Sequence, residues 1–373
     1  MDEKFIDLVQ PTLVPWEEVE PLFAAVWRSG RLTVGPHTEK FERAASALMG
    51  VEHAVALNSC TSGLMLAYRA LGLTGEVILP SFTWTSTGHA LIWNGLTPVF
   101  ADIEEGTCTL DPRDVERRIT PATSAIIATN VFGLYPDLDA LQRVADAAGV
   151  VLLCDSAQAI GATYKGRRGG GLCRAEIFSF SPTKVVTAVE GGLLTTNDAE
   201  LARKVRRMRD YGKTADGSDI ESFGLSARIS EFHSIVGLAN LERIETLLAA
   251  REKLVAAYRA ALADVPGLTF QTLPAACRSS HNYFVTFLDA RQYDRDEVWN
   301  GMTDAKVHTK RYFYPPLHWQ AAYHGFPPPS PPLTVTERVS VSALALPLFS
   351  HLTAADVAEV CERYKQVLRA AKK

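Results

Sequence analysis

Between His53 and Ser156 short apolar runs alternate with amphipathic ones: "HAVALNS", "GLMLAYRALG", "EVILPS", "STGHALIWNG", "TPVFADI", "SAIIATNVFG", "LDALQRVADAAG" and "VVLLCDS". The apolar runs are too short for buried helices and lack the polar alternation of a half-exposed strand, so they predict strands covered on both faces. Helical segments between such strands predict crossovers of a buried, largely parallel sheet. The class that follows is α/β.

Around this block the chain divides further. An irregular arm runs to about Pro15, and "WEEVEPLFAAVWRSG" then has a helical period that ends at Gly30. The segment Ile177 to Thr196 reads as a hairpin, which makes the sheet mixed, and "DAELARKVRRMRDYG" reads as a helix with a solvated charged face. "ISEFHSIVGLANLERIETLLAAREKLVAAYRAALADV" predicts a helix or helix pair leading out of the large unit. Beyond it, "YFVTFLD", "RDEVWNGMTDA" and "TAADVAEVCERYKQVLRAA" mix strands and helices, with "GFPPPSPP" a short loop. A chain of 373 residues is long enough for two domains, expected at 1–245 (arm and large domain) and 246–373 (smaller C-terminal α+β domain).

Composition removes several function classes. A net charge of −4 with 21% charged residues gives no basic excess for a phosphate backbone, so no nucleic-acid partner is expected. Cys60, Cys108, Cys154, Cys173, Cys277 and Cys361 lie far apart without a C-x-x-C pair, which suggests reduced thiols and neither a metal site nor a disulfide framework. The acidic start, broken by Pro11 and Pro15, is unlike a secretion signal, and no apolar run approaches a membrane span. The expectation is a soluble, cytoplasmic protein.

One lysine stands out. In "IFSFSPTKVVTAVEGGLLTT", Lys184 sits in an apolar run, although an ammonium leaves water at a cost of several kcal/mol unless it is paired or loses its proton. Asp155 ends the strand "VVLLCD", at the sheet edge where ligands bind in open α/β folds, and Gln158 follows it. Alone, Asp155 is as well explained as a turn cap. Together with a desolvated lysine, an aspartate that keeps a pyridine nitrogen protonated makes up the pair of protein groups that pyridoxal phosphate requires. The helix start in "LNSCTSGL" offers Thr61, Ser62 and free N–H groups to a phosphate, Ser179 lies within reach of the same group, and Trp84 in "PSFTWTST" is a candidate to stack on the ring.

The ordered set "NSCTSGL", "PSFTWTST", "PVFADI", "CDSAQAIGA", "FSFSPTKVVTAVEGG" and "ARISEFHSIVGLANLERIE", with "YFYPPLH" near the end, resembles the DegT/DnrJ/EryC1/StrS family of pyridoxal-phosphate-dependent sugar aminotransferases across essentially the whole chain. The resemblance implies an aspartate-aminotransferase-like fold of type I, acting as a homodimer with active sites at the subunit interface. It implies Lys184 as the Schiff-base lysine, Asp155 as the partner of the pyridine nitrogen and Gln158 near the phenolic oxygen. Trp84 is then the stacking aromatic, and Thr61, Ser62 and Ser179 hold the phosphate. It also implies L-glutamate as donor and a nucleotide-linked keto-deoxysugar as acceptor, in deoxyaminosugar biosynthesis for an antibiotic or a surface polysaccharide. Lys310, Arg311, Tyr312, Tyr314 and His318 are the candidates to bind that acceptor, with "SHNYF" a weaker one.

Two places depart from the family pattern. Asn130 in "TNVFG" stands where many relatives have histidine, and Ser226 stands where an asparagine often reaches the phosphate of the neighbouring subunit. Glu190-Gly191-Gly192 resembles the run common in relatives that aminate C4, which favours a 4-keto-6-deoxyhexose over a 3-keto sugar nucleotide or a cyclitol. Three rivals remain. A sugar dehydratase of this fold would carry histidine at Lys184, a silent ligand-sensing homologue would not need Lys184, Asp155 and Gln158 together, and a nicotinamide dehydrogenase would show G-x-G-x-x-G after its first strand.

Overall fold

The computed structural model describes residues 5–372, so the first four residues of the acidic arm lie outside it. Seven strands form the main sheet: β1 (His53–Leu57), β2 (Glu76–Pro80), β3 (Thr97–Ala101), β4 (Thr123–Thr129), β5 (Val151–Asp155), β6 (Glu176–Ser179) and β7 (Gly192–Thr196). Their spatial order is β1-β7-β6-β5-β4-β2-β3. The pairs from β3 to β6 are parallel, and β7 runs antiparallel to both β6 and β1.

Strand alternation explains why the runs are apolar throughout. Val55, Leu57, Val77, Leu79, Ile127, Leu153 and Ile177 point to one face, where helices Cys60–Ala70, Thr85–Ile92 and Ala199–Met208 cover them. Ala54, Ala56, Ile78, Ile126, Leu152 and Phe178 point to the other, beneath helices Pro36–Met49, Leu138–Ala148 and the start of Ile244–Leu262. A three-layer α/β/α unit results.

A second core belongs to the C-terminal part. Strands β8 (Leu268–Phe270), β9 (Phe284–Leu288) and β10 (Ala343–Leu346) form an antiparallel sheet. Tyr258, Leu262, Val298, Met302, Val360 and Tyr364 pack with it, and so does Ile6 of the arm, which bridges to Val307. The long predicted helix is a pair, Glu231–Leu241 and Ile244–Leu262, broken at Arg243. Its second member joins the two cores: Ile244, Leu247 and Leu248 pack in the first, and Leu254, Val255 and Tyr258 in the second.

Glu231 fastens the helices of the first unit together. Its buried carboxylate accepts from the N–H groups of Gly35, His37 and Thr38 at 2.8, 2.8 and 2.9 Å and from the Thr38 hydroxyl at 2.6 Å, closing the open end of helix Pro36–Met49. Burial pushes its pKa up, but these hydrogen bonds outweigh burial and hold it below the ordinary glutamate value. Stability from such a lowered carboxyl is fully present above the unfolded-state pKa and is lost as pH falls through the folded one. Glu231→Gln is therefore expected to lower unfolding free energy at neutral pH by about 2–3 kcal/mol. The deficit against wild type should narrow in denaturant titrations below about pH 4.3; equal stabilities at neutral pH would refute this role.

Candidate active site

Every parallel strand from β4 to β6 ends in a polar residue at the same sheet edge: Thr129, Asp155 and Ser179. Above that edge lies a cavity of about 370 Å³, also lined by Ser59, Thr61, Trp84, Gln158, Lys184, Glu190, Tyr283, Lys310 and Tyr312. One end is the N-terminus of helix Cys60–Ala70, capped by the Ser59 hydroxyl, which accepts from the Ser62 N–H at 3.1 Å. Thr61 donates to Ser86 at 3.1 Å. The hydroxyl of Ser62 turns away to Asn58 Oδ1 at 2.6 Å, and Ser59 takes its place in the lining.

The floor is Asp155. Its Oδ2 accepts from Thr87 Oγ1 at 2.7 Å and its Oδ1 from the Ala157 N–H at 3.1 Å. Burial pushes its pKa above the ordinary range, and the two hydrogen bonds and the Lys184 charge offset only part of that. A buried carboxylate in this state gains most from a cationic partner, which a protonated pyridine nitrogen provides. Beside it, Gln158 Oε1 accepts from the Phe132 N–H at 2.7 Å, leaving the amide donor for an acceptor in the cavity.

Lys184 lies in the loop between β6 and β7. Val185 and Val186 anchor this loop in the core, as do a 2.9 Å bond from Phe180 N to Gly191 O and one of the same length from Asn240 Nδ2 to Thr187 O. Gly192 has a packing reason: a Cβ there would stand 2.2 Å from the Ser59 carbonyl oxygen. The Lys184 ammonium lies 6.0 Å from the ring centre of Tyr283. Burial raises the Tyr283 pKa, but Lys184, bonds from Thr183 and Tyr312, and Lys310 outweigh it and hold the phenol below its ordinary value. Lys310 Nζ sits 5.2 Å from the Trp84 ring centre and 4.8 Å from that of Tyr312.

Thr61, Trp84, Asp155, Gln158, Ser179, Lys184, Lys310 and Tyr312 thus share one cavity, and five expected site residues, Ser62, Ser226, Arg311, Tyr314 and His318, stand elsewhere. Lys310 is paired to Ala345 by backbone hydrogen bonds, so neighbouring side chains take opposite sides. Arg311 accordingly points away, to Asp296 at 3.1 Å and over the Trp299 ring at 4.2 Å. Tyr314 lies under Arg295, 4.5 Å from its guanidinium. His318 is held by Ser81 at 2.7 Å and Glu337 at 3.3 Å. Ser226 is exposed at the chain surface, its carbonyl accepting from Asn58 Nδ2 at 3.1 Å. Asn130 is buried behind the floor and donates to Ser156 at 2.7 Å. Thr83, Thr87 and Thr129 were not singled out by sequence, because a hydroxyl beside a strand end or in a first helical turn looks like an ordinary cap. Among the described residues no group of His, Cys, Asp and Glu is arranged to hold a metal, and no helix is long and apolar enough to cross a membrane.

Residues 16–365 match the DegT/DnrJ/EryC1/StrS aminotransferase family. The chain is 30% identical to a dTDP-4-amino-4,6-dideoxy-D-glucose transaminase of Escherichia coli, over 94% of this chain and 96% of that protein. It is 35% identical to a dTDP-3-amino-3,4,6-trideoxy-alpha-D-glucose transaminase of Streptomyces venezuelae, over 90% and 88%. The crystal structure of DesI in the presence of its TDP-sugar product superposes with a TM-score of 0.93 at 35% identity, covering 99% of this chain and 94% of that one. With the strand order, the lysine loop and the aspartate floor already in place, the chain belongs to the DegT/DnrJ/EryC1/StrS family, as a pyridoxal-phosphate-dependent aminotransferase of fold type I.

Proposed function

We propose that the chain transfers the amino group of L-glutamate to a nucleotide-linked keto-deoxysugar, with a 4-keto-6-deoxyhexose as the favoured acceptor. The observation that carries this reading is the convergence of Lys184, Asp155 and Gln158 on one cavity beside a helix N-terminus. When bound, pyridoxal phosphate supplies the electron sink that lets a Cα–H bond break. Thr61, Ser179 and the N–H groups at the start of helix Cys60–Ala70 would hold its phosphate, Asp155 its ring nitrogen, Gln158 its phenolic oxygen and Trp84 its face. Lys184 would take a proton from the donor carbon in one half-reaction and deliver one to the acceptor carbon in the other, and because the first product leaves before the acceptor binds while the amino group stays on the holoenzyme, the kinetics should be ping-pong. Lys310 and Tyr312 offer a cation and a phenol at the Trp84 side of the cavity and suit a sugar diphosphate.

We propose a homodimer as the working form. Trp93 and Phe223 are 78% and 83% exposed and line an apolar groove with Met65, Leu66 and Met208, which a second copy would cover, with Ser226 nearby to reach the partner's site.

Support for C4 rests on Glu190, which lines the cavity, and on the Escherichia coli relative; Gly192 is accounted for by packing alone. The Streptomyces venezuelae relative favours a second reading, amination at C3. Incubation with L-glutamate and, separately, 4-keto and 3-keto nucleotide sugars, with products located by NMR, is expected to give the 4-amino sugar. Amination of the 3-keto compound alone would establish the second reading. A protein that binds pyridoxal phosphate yet shows no spectral change with glutamate would return the chain to the silent, ligand-sensing class.

A further inference from the structure

Three buried threonines, one at the end of β4, one in the loop after β2 and one in the first turn of helix Thr85–Ile92, lead to the floor of the site. Thr129, the last residue of β4, donates to Thr83 Oγ1 at 3.1 Å, Thr83 lies 3.0 Å from Thr87 Oγ1, and Thr87 donates to Asp155 Oδ2 at 2.7 Å. All three are at most 4% exposed. Each hydroxyl has one proton, and an ionised carboxylate can only accept. With Asp155 charged, Thr87 must spend its proton on Asp155, Thr83 must then donate to Thr87, and Thr129 to Thr83. The whole chain is polarised toward the carboxylate.

An ordinary explanation exists for Thr87, whose hydroxyl also lies 3.1 Å from the Trp84 carbonyl, a bond that first-turn threonines often make. One proton cannot serve both acceptors fully. The carboxylate is nearer and charged, and charge-assisted bonds are about twice as strong as neutral ones. A sheet edge also needs no hydroxyl at the end of β4 and another after β2 in line with the first; apolar side chains would pack there without unmet donors.

We infer that Thr87, backed by Thr83 and Thr129, is a positioning residue for the reaction: the threonine chain holds the Asp155 carboxylate ionised and aimed into the cavity, ready for the ring nitrogen. Thr83 and Thr87 lie in the "PSFTWTST" block, but the family resemblance gave a role there to Trp84 alone, and none to the threonine chain. The inference rests on Asp155 being the ring partner, and its test separates the two claims.

The readout is pyridoxal phosphate affinity, measured by absorbance titration of the cofactor-stripped dimer, alongside thermal unfolding. Thr87→Val keeps the shape and removes the hydroxyl; it is expected to weaken cofactor binding about tenfold, the loss of one hydrogen bond to a charged group. Thr87→Ser restores the hydroxyl and should restore the affinity. Thr83→Val removes the second link and should weaken binding about threefold, which keeps the inference testable if Thr87→Val does not fold. In an Asp155→Asn background Thr87→Val should cause no further loss. Wild-type affinity in both valine variants would overturn the inference, as would an undiminished tenfold loss on top of Asp155→Asn. In that second case the assignment of Asp155 stands, whereas wild-type affinity in Asp155→Asn itself would remove the assignment of Asp155.

Discussion

Lys184→Ala is expected to abolish transamination while leaving a folded protein that still takes up pyridoxal phosphate. The side chain is half-buried in a loop whose hold on the core comes from Val185, Val186 and the Asn240 bond, so truncation opens no core cavity, and thermal stability should stay within about 0.5 kcal/mol of wild type. Turnover should fall by roughly 10⁴-fold, the upper range for losing a positioned proton-transfer group, because no other group in the cavity lies where Lys184 does. Lys310 is the other amine there, but it sits against Trp84 and Tyr312. Steady-state rates near wild type would remove Lys184 from the chemistry.

Asp155→Asn should reduce the rate of the glutamate half-reaction by about 10²–10³-fold, as expected when a buried charge that stabilises the transition state is lost. Its effect on folding has the opposite sign. Burial raises the Asp155 pKa in the folded chain, so between the unfolded and folded pKa values the native state holds the extra proton, and stability falls as pH rises through that window. Asparagine removes this penalty, and the cofactor-free variant should melt at or above the wild-type temperature at neutral pH. A turn cap would behave differently, since asparagine and aspartate cap about equally well and rates would not change. Stopped-flow absorbance with glutamate, beside a melting curve, distinguishes the two roles.

The strands were legible because they are buried on both faces, so β1 to β5 appear as continuous apolar runs, and Asp155 at the end of β5 could be singled out once Lys184 and Gln158 stood beside it, whereas Thr129 at the end of β4 could not. Helix Pro112–Arg118 was not, although Asp111 caps it and Pro112 opens it, because seven residues are too few to establish a helical period. A helix pair was one of two alternatives read for Ile229 to Val265, but the position of the break at Arg243 was hidden because the apolar period continues across it in sequence. In the site, Lys184, Asp155 and Gln158 could be read from order and residue type. Arg311 could not be separated from Lys310, because neighbouring side chains in extended backbone take opposite sides and only the pairing with Ala345 fixes which side faces the cavity, and His318 could not be placed because the chain turns after Arg311 and carries it in a short 3-10 turn, Leu317–Trp319. Thr87 was silent for a related reason: its value depends on helix Thr85–Ile92 arriving over the end of β5, a contact between residues 68 positions apart.

The account turns on which amine holds the cofactor. Borohydride reduction of the pyridoxal-phosphate-loaded protein, followed by proteolysis and mass spectrometry, fixes the cofactor to the nitrogen it was bonded to. The cofactor's mass is predicted on the peptide carrying Lys184, and pre-incubation with L-glutamate should remove it. Label on the Lys310 peptide in place of Lys184, or no labelled peptide in a protein that is yellow before reduction, would contradict the account.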